Sequence, residues 1–146
     1  GDALWENGFG VVFPELDGED AFADVAATLD LIERLAPRTV IPGHGRVFAD
    51  VPEALARARK RLAGFEADPV KHARHAAKVL LKYKLLEWQQ MPLADVQAWL
   101  AATPYYARLH ARYFADRMAG QWTEELVQEL IATGAARREG ETLHNA

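Results

Sequence analysis

The chain has 146 residues, half of them hydrophobic and 26% charged, the make-up of an ordinary folded protein of one domain or two small ones. It carries no cysteine, which excludes disulfides and thiolate chemistry, and no apolar run approaches the ~20 residues that span a bilayer. The net charge of −4 is uneven, with −5 over residues 1–67 and +1 over residues 68–146, and neither part has the basic excess of a dedicated nucleic-acid binder. No signal peptide is expected, and the opening Gly1-Asp2, without a Met, reads as cut from a longer protein; a cytoplasmic location is expected.

Residues 1–16 are rich in Gly, Asn and aromatics and read as a long loop, with a short extended piece at Gly10–Phe13 stopped by Pro14. An amphipathic helix is predicted over 18–36, with Phe22, Val25, Ala26, Leu29, Ile32 and Leu35 inward, Asp17 or Asp20 at its start and Pro37 at its end. The β-branched run Thr39-Val40-Ile41 reads as a buried strand, and Pro42-Gly43-His44-Gly45 forces a turn after it.

From Pro52 the pattern turns helical almost to the end. A first helix uses Leu55, Ala58, Leu62 and Phe65. Asp68-Pro69 opens a second, running to about Leu86, with Val70, Ala73, Ala77, Leu80, Leu81 and Leu85 inward. Pro92 opens a third with Leu93, Val96, Trp99 and Leu100, and Pro104 a fourth with Tyr105, Leu109, Tyr113 and Phe114. Thr123 is read as the cap of a fifth with Leu126, Val127, Leu130 and Ile131, which Gly134 terminates. The tail alternates around Glu139-Gly140, the mark of a small hairpin with Gly in its turn. The domain boundary is placed near residue 50, separating residues 1–50 from a helical 51–146.

Two residues carry the most chemistry. His44 sits between two glycines after a strand, where a ligand nitrogen would be presented, and Asp2 would be a hard oxygen ligand beside it. Gly1-Asp2, the intervening helix and strand, and Val40-Ile41-Pro42-Gly43-His44-Gly45 together resemble the metallo-β-lactamase superfamily. The likeness covers residues 1–48, and the segment GDALWENGFG resembles the substrate-facing loop of bacterial members. It implies the C-terminal portion of an αββα domain, followed by a mostly helical, winged-helix-like domain, the whole mainly α. It implies further that Asp2 bridges two metal ions (zinc, or iron or manganese) and that His44 binds the second. Metal-bound hydroxide would then attack an ester, thioester, amide or phosphoester of a small-molecule substrate. Trp5 and Phe9 are the candidates for lining the substrate pocket.

The family's HxHxDH motif, which supplies most of the ligands, is absent from this sequence. Two ligands do not hold a catalytic zinc, so the chain by itself is expected to be inactive and to bind no metal tightly. Its partner would be the N-terminal half of the hydrolase domain, or a second copy of itself. His72 and His75 have the wrong spacing for the motif and are read as part of a solvated helix face with Lys71 and Arg74. Arg57, Arg59, Lys60 and Arg61 read as the charged outer face of a helix, and His110 and His144 have no companions that suggest a role.

The order of helices, a Gly-terminated helix and a hairpin resembles a winged helix. A DNA-reading helix would be basic, whereas the helix before the hairpin holds Glu124, Glu125 and Glu129 and no Lys or Arg, which disfavours nucleic acid as a partner. Arg137 and Arg138 in the wing would add two contacts at most. A helix over 105–118 places Arg108 and Arg112 on one face, with Arg117 nearby, as the candidates for an anion contact. A nucleic-acid-binding or RNA-processing module and a helical interaction or dimerisation module are the alternatives to the hydrolase reading.

Overall fold

The computed structural model describes residues 2–146. Its described residues form seven helices and one three-stranded antiparallel sheet, in the order α1 (Phe13–Asp17), α2 (Ala21–Leu35), α3 (Val51–Ala67), α4 (Pro69–Trp88), β1 (Gln90–Pro92), α5 (Leu93–Ala102), α6 (Pro104–Tyr113), α7 (Ala119–Ala132), β2 (Ala136–Glu139) and β3 (Thr142–Asn145). No helix among them is long and apolar enough to cross a membrane. The chain divides into two compact units, residues 1–72 and 73–146.

In the first unit, α2 and α3 enclose a core of Phe22, Leu29, Leu55, Leu62 and Phe65, and Leu4, Phe9 and Val12 enter it from the N-terminal loop. Because Val51, Ala54, Leu55, Ala58, Leu62 and Phe65 of α3 all belong to this core, the compact division falls after His72 and not near residue 50. The extended piece expected at Gly10–Phe13 is instead the approach to a short helix. Pro14 stands at its first turn, where its fixed φ and missing N–H are tolerated, so it opens α1.

The start of α2 is satisfied from a distance. Asp20 is its N-cap but makes no side-chain cap bond; Glu15 Oε2 instead accepts from Ala21 N and Phe22 N, both at 3.0 Å. Val25, Ala26 and Ile32 pack on the core as expected, but Leu35, read as inward, is 68% exposed. The predicted strand at 39–41 does not form. Val40 makes only an isolated bridge with Phe48, and Ile41 is exposed, since no neighbouring strand among the described residues offers a ladder. Asp68 caps α4 as expected, accepting from Lys71 N at 2.9 Å, while Val70 points outward.

The second unit runs helix, strand, three helices, strand, strand. Its sheet has the order β1–β3–β2, with Met91 opposite Leu143 and Arg138 opposite Leu143 on the other side. The hairpin expected around Glu139-Gly140 is present as β2 and β3. β1 was not predicted, because Gln-Met-Pro has neither β-branched residues nor alternation; the free side of β3 recruits it, and only Met91 is buried. Trp122, Leu126 and Val127 of α7, Tyr106 of α6, Val96 of α5, Leu81 and Leu85 of α4, and Leu143 of β3 are buried in this unit.

Three helix details differ from expectation. On α6 it is Tyr106, not Tyr105, that is fully buried; its hydroxyl donates to Ala77 O, and burial pushes its pKa up. The helix ends at Tyr113, so Arg117 is not on it. Finally, α7 begins at Ala119 and Thr123 is not its cap. Thr123 is buried inside the helix, its hydroxyl donating to Ala119 O at 3.0 Å, a local bond that a mid-helix Thr can make.

Candidate functional site

The loop that carries Asp2 is built by alternation between inside and outside. Leu4 and Phe9 are buried, and Trp5 and Gly8 close a tight turn through Trp5 N to Gly8 O at 2.6 Å and Gly8 N to Trp5 O at 3.2 Å. Arginines of α3 then hold its carbonyls. Arg57 Nε donates to Glu6 O at 2.8 Å, and Arg61 Nη1 donates to Phe9 O. Arg61 is half-buried, and desolvation lowers its pKa from the ordinary value, the cost of bringing a cation to this carbonyl. The basic cluster read as a solvated face is therefore divided. Arg57 and Arg61 clamp the loop, while Arg59 pairs with Asp30 and Glu33 of α2, at 2.8 Å each.

The Pro42–Gly45 turn is pinned to the same loop by a bidentate pair, with Arg46 Nε to Glu6 Oε2 at 2.9 Å and Arg46 Nη2 to Glu6 Oε1 at 2.8 Å. His44 Nδ1 thereby lies 2.8 Å from Asp2 Oδ1, across 42 residues of sequence. Trp5 Nε1 donates to the same oxygen at 3.1 Å, and its ring stands 5.2 Å from the His44 ring. The glycines of the turn serve distinct ends. A Cβ on Gly43 would run into the Asp2 carboxylate, and Gly45 has φ +91°, where other residues are strained.

Hydrogen bonds from His44 and then from Trp5 lower the Asp2 pKa below its ordinary value, so Asp2 is an acceptor-only carboxylate at neutral pH. With Asp2 Oδ1 accepting, His44 Nδ1 is the donor of this bond, which leaves Nε2 as the nitrogen able to ligate. Both side chains are more than half exposed. One carboxylate and one imidazole are the right donor types for a zinc-like ion but do not complete a centre. No group of three or more His, Asp or Glu able to hold a metal occurs among the described residues. Gly1 of the Gly-Asp pair lies outside the described residues.

The remaining candidates fare differently. Trp5 is half-buried beside Asp2 and His44 and could meet a substrate there. Phe9 is 3% exposed, its ring edge-on to Phe65 at 6.3 Å, so it is a core residue and lines no open pocket. Arg108 and Arg112 are exposed, one turn apart on α6, their guanidinium groups 5.4 Å from the Tyr105 ring and 5.2 Å from the Tyr113 ring. Arg117 does not join them. Its side chain binds Glu125 of α7.

His72, read as solvated, is 1% exposed. Its Nε2 accepts from Val12 N at 3.2 Å, and its ring lies 4.5 Å from Phe65 and 5.1 Å from Phe22. Burial pushes its pKa down to about 4, so it is a neutral core histidine. It stands four residues before Ala76, in the buried stripe of α4 with Ala73 and Ala77, and that spacing is the signal that sequence reading passed over.

The acidic residues of α7 are matched by cations of their own unit. Glu129 meets Arg74 and Lys78, Glu125 meets Arg74 and Arg117, and Glu124 meets Arg138. Arg138 is thus engaged by Glu124 and Glu141.

Comparison with known protein families, with curated proteins and with solved structures finds no match to this chain.

Proposed function

We propose that this chain is the C-terminal part of a metal-dependent hydrolase of the metallo-β-lactamase superfamily, with Asp2 and His44 as two ligands of a two-ion centre. The single observation that carries this reading is the 2.8 Å approach of His44 Nδ1 to Asp2 Oδ1, made by a turn whose Gly43 leaves room for the carboxylate. Zinc is the favoured ion, with iron or manganese as alternatives; when bound it would supply Lewis acidity toward an ester, thioester, amide or phosphoester. Trp5 would stand at the edge of the substrate site. The chain's own contribution is to orient the two ligands: Glu6–Arg46 and Arg57 hold the loop and the turn in register, and Asp2 fixes the His44 tautomer.

The remaining ligands would come from the N-terminal half of the hydrolase domain. Leu31 and Leu35 of α2, with Ile41 and Val47 around the turn, are large exposed apolar residues, which is the character of a surface that another part of a protein covers. The order of elements in the second unit supports the winged-helix-like reading, and the absence of cysteine fits a reducing cytoplasm. A role in nucleic-acid binding is not favoured, because Arg138 is already paired with Glu124 and Glu141.

The test is metal analysis of the purified chain together with the coding sequence upstream. The chain is expected to retain no stoichiometric zinc, and an HxHxDH motif is expected within roughly 200 residues before Gly1, an ordinary domain length. One firmly held ion per chain, or no such motif, overturns the proposal. The same exposed apolar residues support a second reading, self-association of the first unit. A zinc-independent dimer in light scattering would favour it, and a monomer sets it aside.

A further inference from the structure

The place of the Trp5 indole is set by its own loop. The two backbone bonds between Trp5 and Gly8 fix where the side chain leaves the chain. A Cβ on Gly10 would stand 3.0 Å from Trp5 Cη2, so glycine there leaves the ring its room. Held in this way, Trp5 Nε1 donates to Asp2 Oδ1 at 3.1 Å.

The other groups around the Asp2 carboxylate meet the same oxygen. His44 Nδ1 lies 2.8 Å from Oδ1, and the Cβ that Gly43 lacks would run into Oδ1 first. Oδ2 is 3.5 Å from that Cβ position, and no hydrogen bond or ion pair reaches it among the described residues. A carboxylate has about four lone-pair sites over its two oxygens, so two N–H donors fill Oδ1 and leave Oδ2 whole.

An indole N–H donates and cannot ligate, so Trp5 acts on a metal ion only through Asp2. A phenyl ring at this position would fill similar space but leave Oδ1 one donor short. The N–H is also already committed, and is not the part of Trp5 that a substrate would meet.

We propose that Trp5 is a positioning residue: together with His44 Nδ1 it occupies Asp2 Oδ1, so that Asp2 Oδ2 and His44 Nε2 are the atoms this chain offers to a metal ion. It rests on the reading of Asp2 and His44 as metal ligands, and adds which atoms they use and what turns them. Hydrogen-bond partners of this kind fix the orientation of the groups that ligate.

The test follows the histidine ring nitrogens and the tryptophan indole N–H groups of the isotope-labelled chain by NMR, with Zn2+ as the added ion. His44→Ala and Trp5→Phe assign the two resonances by their loss. In mildly alkaline solution, where an ordinary imidazole is neutral, His44 is expected to carry its proton on Nδ1. Zn2+ added near neutral pH is expected to move Nε2, leave the Nδ1 proton in place and keep the Trp5 N–H hydrogen-bonded. Zinc that moves Nδ1, releases the Trp5 N–H or does not reach His44 overturns the proposal.

In Trp5→Phe, at unchanged circular dichroism, the share of the Nδ1–H tautomer is expected to fall. Zinc at His44 is expected to weaken roughly threefold, less than the roughly 10–100-fold that such partners are worth in a complete centre. A Trp5 that only filled space would leave both unchanged in the folded variant, and that result also overturns the proposal. Should Trp5→Phe fail to fold, the measurements on the unsubstituted chain decide. The hydrolase reading stands or falls separately, on the upstream motif and on a firmly held ion.

Discussion

In the first unit, backbone groups outside the helices are satisfied largely by side chains: Arg57 and Arg61 serve the carbonyls of Glu6 and Phe9, His72 serves the N–H of Val12, and Glu15 serves the start of α2. Its only backbone bridges among the described residues outside helices are the isolated pairs Trp5–Gly8 and Val40–Phe48. In the second unit, β1, β3 and β2 exchange backbone bonds in two continuous ladders, with Lys82 adding donations to Ala135 O and Asn145 Oδ1 at their end. A ladder spreads its stability over many equivalent bonds. A loop held by side chains places it in a few residues, each of which a single substitution or a proton can remove. The candidate ligand Asp2 is on the more vulnerable kind of support.

The largest expected effect comes from a proton. His72 is neutral when folded, with its pKa near 4, against an ordinary value of 6.5 in the unfolded chain. Above pH 6.5 neither state binds the proton and its contribution to stability is whole. As pH falls from 6.5 to 4 only the unfolded chain takes it up, and stability is lost by up to about 3 kcal/mol, levelling once the folded state also protonates. Denaturant melts of the protein and of His72→Leu across this range check it. The variant is expected to be weaker at pH 7 by about 1–3 kcal/mol, through the orphaned Val12 N–H, but to have the flatter profile. Parallel profiles would break the contrast drawn between the units.

Next in size is Arg61→Ala, which removes a charged donor from the half-buried Phe9 carbonyl and is expected to cost about 2 kcal/mol. Hydrogen exchange sharpens the comparison here. Amides of the 2–12 loop are expected to lose protection while those of β3 keep theirs, and equal loss in both would mean that the units share their stability.

The smallest effect is local. Gly43→Ala drives the Asp2 carboxylate away from His44 and Trp5, so the Asp2 pKa is expected to rise toward its ordinary 3.8 with little change in melting temperature. A carboxyl titration by NMR that finds Asp2 unmoved removes the reason given for glycine at this position.

Sequence reading located most of the helices because prolines announce them. Pro52, Pro69 and Pro104 each stand in a first turn, and the buried stripes of α3, α5 and α7 keep helical spacing. It misjudged strands, because strand formation depends on what lies alongside. Thr39-Val40-Ile41 has the composition without a neighbour, while Gln90-Met91-Pro92 has the neighbour without the composition. The approach of Asp2 to His44 was what the family resemblance implied, and not something their spacing alone could give. The clamps around it were not, since an arginine donating to a main-chain carbonyl leaves no pattern beyond Arg57 and Arg61 lying four apart on α3, which a solvated face would also produce. His72 was misplaced for the opposite reason: a polar residue amid Lys71 and Arg74 hides that its own direction is inward.

Trp5 stands with its indole N–H on Asp2 and its ring 5.2 Å from that of His44, tilted by 59°, so this corner holds a fluorophore beside an imidazole. The light from a variant that keeps Trp5 as its sole tryptophan therefore reports whether anything has come between His44 and Asp2, without a label or a substrate.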